Sequence, residues 1–338
     1  MADGSELTMR EARARHADFD VTRTWDLPFE QNPPHPDDEP LDTYLRRLGF
    51  TDAQIHYTRR AWGNAEGDDL SRVSAISGVE EMSDTEAGNG DWMIAEGYDK
   101  LIDHLAVGLD IRLNTIVTEI DWSSTPVKIH TANGETLTAD RVVISLPLGV
   151  LKAGDVRFTP ELPADKQSAI ESLTMGPAIK LLYRFAEPVF EPRFQAYYSA
   201  INPPMWWMMQ SAFNSDATVV VAFATGDWAT ELLNSGEPLE WGLRSLETEV
   251  GRKLTPTHTC LVNWVADRFA LGGYSVAPPG ASKMRAVLGQ PTESRLFWAG
   301  EATAHNAWSS TVHGAYISGR RAANEILTSI HREQEVSK

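Results

Sequence analysis

The sequence predicts a mixed α/β fold, and three features carry that reading. Arg141-Val142-Val143-Ile144-Ser145-Leu146 is a largely apolar run stopped by Pro147, the pattern of a strand buried on both faces of a layered sheet. Arg295-Leu296-Phe297-Trp298-Ala299 is a second short buried strand, running into Gly300-Glu301 and then a long amphipathic helix. Between them Asn133-Gly134 joins two alternating segments, a strong hairpin signal. The chain has 338 residues, and at about 150 residues per domain that suggests two domains.

Taken in order, residues 1–90 read as helical and irregular. Pro28, Pro33, Pro34, Pro36 and Pro40 fix φ and remove donors, so this stretch is a loop or extended connector. Asp42 is read as the N-cap of a helix ending near Gly49, and Thr51 with Gln54 as a capping box opening another. Asp84 to Asp91 is a polar loop. Gly97 to Ala106 reads as a short helix with Leu101, Ile102 and Leu105 on one side. Strands are expected at 110–114, 116–122, 127–131 and 135–138, before the run at 141–146. A helix is expected after Pro163 to Leu173, strands at 179–185, 218–223 and 260–265, and a helix from Glu237 to Leu254. The last helix, Val312 to Ile330, has an apolar stripe of Val312, Tyr316, Ile317, Ala323, Ile326, Leu327 and Ile330.

Composition narrows the function. An apolar fraction of 42% with 23% charged residues is that of a packed globular chain. No apolar run approaches the ~20 residues of a membrane helix, so no membrane partner is expected. The net charge of −17 disfavours phosphate backbones, and hence nucleic acid. Residues 1–100 hold 22 acidic and 10 basic side chains, an excess that either attracts a cationic substrate or serves solubility. A single cysteine, Cys260, leaves no internal disulfide and no multi-cysteine metal site, and fits a reducing, cytoplasmic setting. Lying in an apolar segment, it reads as a core residue. No metal site is expected.

The chemistry concentrates at the end of the chain. A buried strand reaches Gly300, a carboxylate follows at Glu301, and Thr311-Val312-His313-Gly314 opens a helix. Glycine permits close approach of a ligand, and a helix start offers free N–H groups and partial positive charge. A polar ligand over that helix start and an ordinary strand–loop–helix link both fit these residues. Lys180, inside Ile179-Lys180-Leu181-Leu182-Tyr183, is on its own a strand lysine facing solvent. Met205-Trp206-Trp207-Met208-Met209 is read as a buried strand, with a cavity lining as the other possibility. His305 and His313 are assigned no catalytic role.

Six ordered motifs then resemble the flavin-dependent amine oxidases, the family of polyamine oxidases, monoamine oxidases and flavin-dependent histone lysine demethylases. They are Gly97-Tyr98, Ile111-Arg112-Leu113-Asn114-Thr115-Ile116-Val117, Leu146-Pro147-Leu148-Gly149-Val150-Leu151-Lys152, Gly176-Pro177-Ala178-Ile179-Lys180, Trp264 with Gly272-Gly273-Tyr274-Ser275, and the C-terminal Phe297 to Thr303 with Thr311 to Gly319. They run from about residue 90 to residue 325. The resemblance implies FAD, with Gly300 and Glu301 at its ribityl chain, Thr311 and Val312 at its pyrimidine end, Val117 on the adenine side, and Trp264 against the flavin. It implies Lys180 holding a water near flavin N5 and Tyr274 beside the ring where the amine enters. Gly273 stands where covalently flavinylated relatives have cysteine, so FAD is expected to be non-covalent. The implied reaction turns a small cationic amine, such as a polyamine, into an imine and O2 into hydrogen peroxide.

The resemblance also assigns domains. Residues 91–152 and 286–338 would form an FAD-binding, Rossmann-like layer, and residues 1–90 and 153–285 a substrate domain of mixed sheet and helices. One part of the pattern is missing. Gly88-Asn89-Gly90 is the only G-x-G, with Met93 where the third glycine should be, so the βαβ unit that holds a pyrophosphate is not found. The expectation is that a longer chain or a partner supplies it. Two alternatives stay open: a degenerate, non-enzymatic binding protein on this fold, and an L-amino-acid oxidase, which needs a cationic side chain that the sequence does not single out.

Overall fold

A computed structural model describes residues 31–83, 94, 96–190, 196–209 and 218–336. The expected loop at 84–91 and the connector before residue 31 lie outside the described residues. The chain opens with helices α1 (Leu41–Arg47), α2 (Asp52–Thr58) and α3 (Ala75–Ser83). Thr51 and Gln54 form the expected capping box on α2. Asp42, however, is not the cap of α1: Pro40 takes that place, because a proline's fixed φ suits the residue leading into a helix and its missing N–H costs nothing there. Leu41, Tyr44, Leu45, Ile55, Leu70 and Val73 make a small core with Val276.

Helix α4 (Tyr98–Leu105) follows, and no residue of it is buried. Its expected apolar side is open, with Ile102 57% exposed, and Leu109, Ile111 and Leu113 continue the exposed surface. The strand expected at 110–114 does not form; those residues are irregular. An apolar alternation makes a strand only where a neighbour completes the hydrogen-bond ladder, and no described strand lies beside it. Strands β1 (Val117–Asp121), β2 (Val127–Thr131) and β3 (Thr136–Ala139) make a meander, with the Asn133-Gly134 turn where expected.

Strand β4 (Val142–Ile144) leads through Pro147 to α5 (Leu148–Ala153), β5 (Arg157–Thr159) and α6 (Ala164–Ser172). The expectation that β4 is buried on both faces is corrected: Val143 is 45% exposed, since β4 has only one described neighbour, the parallel strand formed by Leu296–Trp298. β6 (Thr174–Gly176) runs into the long strand β7 (Ala178–Phe185). Next come β8 (Ala196–Tyr198), β9 (Met205–Met208) and β10 (Thr218–Thr225). Helices α7 (Gly226–Asn234) and α8 (Pro238–Val250) precede β11 (His258–Asn263). Of these, α7 had no counterpart in the sequence reading, and α8 stops at Gly251, whose φ of 67° ends the helix.

The order β11-β7-β10-β9-β8 makes a five-stranded antiparallel sheet. One face carries Ile179, Leu181, Tyr183, Trp206, Val220, Ala222 and Ala224 into a core with Leu232 and Leu246 of α7 and α8. Cys260 is exposed rather than a core residue, because β11 is the sheet's edge. Strand β12 (Tyr274–Val276) pairs with β6, α9 (Met284–Gly289) follows, and β13 (Leu296–Trp298) pairs with β4. Two 3-10 turns, Glu301–Thr303 and Asn306–Trp308, lead to α10 (Val312–Val336). Its buried face is not the expected stripe. Val312, Tyr316 and Leu327 are exposed, while Gly314, Ser318 and Ala322 face inward. Close helix packing selects small residues there, and Gly314 shows how close: a Cβ would stand 1.8 Å from the Trp308 carbonyl oxygen.

Among the described residues no helix is long and apolar enough to cross a membrane, and no group of three metal-ligating side chains occurs.

Candidate functional site

Lys180 lies mid-strand on β7, opposite Phe223 of β10 and Val262 of β11. Side chains alternate along a strand, so Lys180 faces away from the apolar core that holds Ile179 and Leu181. Its ammonium sits 5.4 Å from the ring centre of Trp264, 5.5 Å from Trp207 and 5.7 Å from Phe223. Burial pushes its pKa below the ordinary lysine value. No hydrogen bond or carboxylate meets its Nζ among the described residues. The run at Met205–Met209 therefore does two jobs: Trp206 and Met208 are buried, while Met205 and Trp207 alternate to the Lys180 face.

From Trp264 the chain turns back on itself. Gly272 donates to the Trp264 carbonyl at 2.9 Å, and Gly273 to that of Gly176 at 2.8 Å. A Cβ on Gly272 would meet Met175 at 2.4 Å, and its φ is 149°, so glycine is required for this approach. Tyr274 then pairs with Gly176 at the head of β12, two residues from the start of β7. Its hydroxyl donates to the Ala65 carbonyl at 2.6 Å. Burial first, then the carboxylates Glu66, Glu81 and Glu301, hold Tyr274 protonated far above the usual tyrosine range.

Ser275 carries the link onward. Its N–H and hydroxyl donate to the two oxygens of Glu301 at 3.1 and 2.6 Å. Glu301 also accepts from the Ser310 N–H at 2.9 Å, and so fixes the loop in front of α10. Ser310 has a φ of 63°, a conformation strained for a side-chain-bearing residue and held here by that bond and by its hydroxyl on the Ser275 carbonyl. Thr311 caps α10, accepting from the Gly314 N–H at 3.0 Å and donating to the Trp308 carbonyl at 2.7 Å. The N–H groups of Val312 and His313 have no partner among the described residues. Gly300 adopts a φ of 105° and donates to the Ser318 hydroxyl.

Ring contacts, hydrogen bonds and chain neighbours together thus link Lys180, Trp264, Tyr274, Glu301, Gly300, Thr311 and Val312. Val117 is not part of it; it begins β1, opposite Thr131 in a different sheet.

Sequence reasoning missed a group of charges behind Tyr274. Arg285, on α9, is 2% exposed and donates to the Ser275 carbonyl at 2.9 Å and to its hydroxyl. Its nearest described carboxylate is Glu301, at 3.9 Å. Glu66 accepts from the Trp62 indole. Glu81, on α3, is exposed to solvent and shares a side-chain hydrogen bond with Glu66. Burial raises the pKa of both Glu66 and Glu81; Glu66 raises Glu81 further by its charge and their hydrogen bond, whereas that hydrogen bond lowers Glu66. No local pattern marks these residues, because they come from three separate segments.

The residues fit a flavin in three respects. A helix start with unpaired N–H groups favours the negative charge that a reduced flavin ring carries. Among the described residues Glu301 Oε1 accepts only from Ser275, and it retains capacity for a ribityl hydroxyl. The Lys180 ammonium, met by aromatic rings but by no hydrogen-bond acceptor among the described residues, has its N–H donors open to a water or a ring nitrogen.

A family model described as flavin containing amine oxidoreductase matches residues 3–327. The chain is 33% identical over 290 residues to Polyamine oxidase 4 of Oryza sativa subsp. japonica, covering 83% of this chain and 58% of that protein. It is 32% identical over 315 residues to Polyamine oxidase 2 of Arabidopsis thaliana, covering 91% and 61%. It is 30% identical over 325 residues to Histone demethylase-like protein A of Aspergillus fumigatus, covering 87% and 30%. The chain therefore spans about 60% of the length of the polyamine oxidases it matches. Among solved structures, putrescine oxidase bound to putrescine superposes with a TM-score of 0.73 at 16% identity, over 96% of this chain and 76% of that one. Cyclohexylamine oxidase from Brevibacterium oxydans IH-35A gives 0.72 at 17%, over 96% and 75%. At these identities the structures share the mixed α/β fold.

Proposed function

The chain belongs to the flavin-containing amine oxidoreductases, and from that premise we propose that it oxidises an amine at the site running from Lys180 to Val312. The cofactor we propose is FAD, bound non-covalently, since Gly273 precedes Tyr274 and supplies no thiol. When bound, FAD would supply the acceptor for a hydride from the amine's α-carbon and pass the electrons to O2, giving hydrogen peroxide.

The protein's part is to position and to set charge. Gly300 and Glu301 would hold the ribityl chain, and Thr311 and Val312 would offer the helix start to the pyrimidine end. Trp264 would pack on the ring system. Lys180 would hold a water at the flavin N5 edge and favour negative charge arising there. Tyr274, fixed by Ala65, would bound the channel by which the neutral amine enters. Val117 would reach the adenine through its backbone. The product imine would hydrolyse in water.

Acceptor chemistry sets the substrate class. The carboxyl groups of Glu66 and Glu81 lie behind Tyr274, and their oxygens suit a small cationic amine, a polyamine among them. The exposed apolar side chains Leu101, Ile102, Leu105, Ile111, Leu113 and Val143 suit a covering glycine-rich βαβ unit, from a longer chain or a partner. A cytoplasmic location is proposed on the single cysteine.

The observation that carries the reading is the Lys180 ammonium, which has no hydrogen-bond acceptor among the described residues, at one end of a path of hydrogen bonds and chain neighbours that ends on the α10 N–H groups left free among those residues. The test is a visible absorption spectrum of the purified protein with and without added FAD, followed by peroxide detection with amines. A flavin spectrum, and loss of peroxide formation in Lys180→Met, are expected. A protein that neither holds nor takes up FAD would overturn the reading in favour of a non-enzymatic binding protein.

A further inference from the structure

Three strands and a loop place the Lys180 surroundings on one face of one sheet. Phe223 is the direct cross-strand partner of Lys180 on β10. Trp207, on β9, pairs with Val221, two residues from Phe223 and on the same face. Trp264 follows β11 two residues after Val262, the other cross-strand partner of Lys180. Trp207 and Phe223 stack with ring centres 5.3 Å apart and an interplanar angle of 17°. The three rings lie at nearly equal distances, 5.4 to 5.7 Å, around one ammonium.

We infer that Trp207 and Phe223 are positioning residues for Lys180: with Trp264 they form a three-ring box that holds the ammonium charge and fixes where Nζ points. A lysine has four rotatable side-chain bonds, and ordering it costs entropy unless something holds its head. A carboxylate would hold it, but would neutralise the charge and occupy its donors. Aromatic faces hold a cation within about 6 Å through the ring quadrupole and accept no proton. The three N–H donors then stay available to a water or a cofactor atom. Stacking keeps the Trp207 ring from rotating out, so Phe223 acts on Lys180 both directly and through Trp207.

The significance for turnover rests on the reading of Lys180 given under Proposed function; the box itself does not. The chain has eight lysines, so the ε-carbon resonances of protein made with 13C-lysine can be resolved, and Lys180→Arg assigns the one of interest. In the unsubstituted protein the Lys180 ε protons are expected upfield of the other lysines through the ring currents. Trp207→Leu and Phe223→Leu should move them back toward the exposed-lysine position, and Trp207→Phe should retain most of the displacement. In flavin-loaded protein, Trp207→Leu is expected to slow reoxidation by O2 by about 3- to 10-fold, the range of one cation–π contact, with reduction by the amine less affected. A Lys180 resonance among the exposed lysines, or one unmoved by both leucine variants, overturns the box, whatever the flavin does. A displaced resonance that both variants relax supports it, even in protein that holds no flavin and so refutes the oxidase reading.

Discussion

The hydroxyl of Tyr274 donates to the carbonyl of Ala65 at 2.6 Å, across 209 residues of sequence. That bond ties the helical opening of the chain to the loop that carries the site. Gly67 sits against the same ring, with a φ of 90° and a would-be Cβ only 2.6 Å from Tyr274 Cε2. Tyr274→Phe should cost about 1 kcal/mol, the worth of one hydrogen bond. Gly67→Ala combines a strained φ with overpacking and should cost about 1–3 kcal/mol. Thermal unfolding of the two variants checks the order. Equal stability in both would mean that the Tyr274 ring is not the limit on that turn.

The carboxyl of Glu81 has its pKa raised above the ordinary 4.5 by burial and then by the charge of Glu66. As pH rises past 4.5 the unfolded chain loses this proton first. The folded state then binds more protons than the unfolded, and stability falls with pH. Glu81→Gln removes that dependence. Relative to the parent protein the variant should gain stability progressively from about pH 4.5 upward, up to the raised value. Melting curves across that range test it; a parent–variant gap that does not change with pH would contradict the assignment.

Two glycines one turn and a half apart on α10 should behave in opposite ways. Gly314 has no room, since its Cβ would press on the Trp308 carbonyl oxygen at 1.8 Å. Backbone cannot yield as a flexible side chain does, so Gly314→Ala should cost about 3 kcal/mol or more and disturb the helix start beside Thr311 and Val312. Gly319 has nothing within 4 Å, and Gly319→Ala should stabilise the helix by about 0.5–1 kcal/mol. Unfolding midpoints with flavin absorbance as a second readout distinguish them. Flavin retention should drop only in the first.

Much of this was legible from residues alone, because local signals coincide with local structure. The capping box at Thr51 and Gln54, the hairpin at Asn133-Gly134 and the strand of Lys180 need only their own neighbours. Several of the errors share one cause: each depended on a partner that no window of sequence contains. Ile111 and Leu113 alternate as a strand does but have no described ladder to join, Val143 lacks a second neighbour, and Cys260 falls on an edge. The same limit hid Arg285 and Glu81, which reach the site from opposite ends of the chain, and Trp207, whose partner Phe223 lies on another strand. Lys180 itself reads as a solvent-facing lysine until three strands are aligned.

Lys166 gives the last prediction. It is 3% exposed on α6, and its ammonium donates to the carbonyls of Val287, Leu288 and Gln290 at 2.9, 2.7 and 2.7 Å. Those carbonyls end α9, so one lysine closes a helix belonging to a segment more than a hundred residues away, with the Trp298 ring 4.6 Å beneath it. The Val287 carbonyl also accepts from the Gln290 N–H at 3.3 Å, so Lys166→Met keeps the packing volume but strands the Leu288 and Gln290 carbonyls, at about 1–3 kcal/mol for each one left buried without a donor. Burial pushes the lysine down to about 8 from 10.5. Below pH 8 it is charged in both states, and the cost of burying the charge is fully present. Between pH 8 and 10.5 the unfolded chain holds more protons than the folded one, so that cost is relieved as pH rises. The stability gap between the parent protein and Lys166→Met should therefore widen from pH 8 toward 10.5. Taking the difference between the two proteins cancels the tyrosines that titrate in the same range. A gap that narrows over that range would show that the three carbonyls hold the charged form more strongly than burial opposes it.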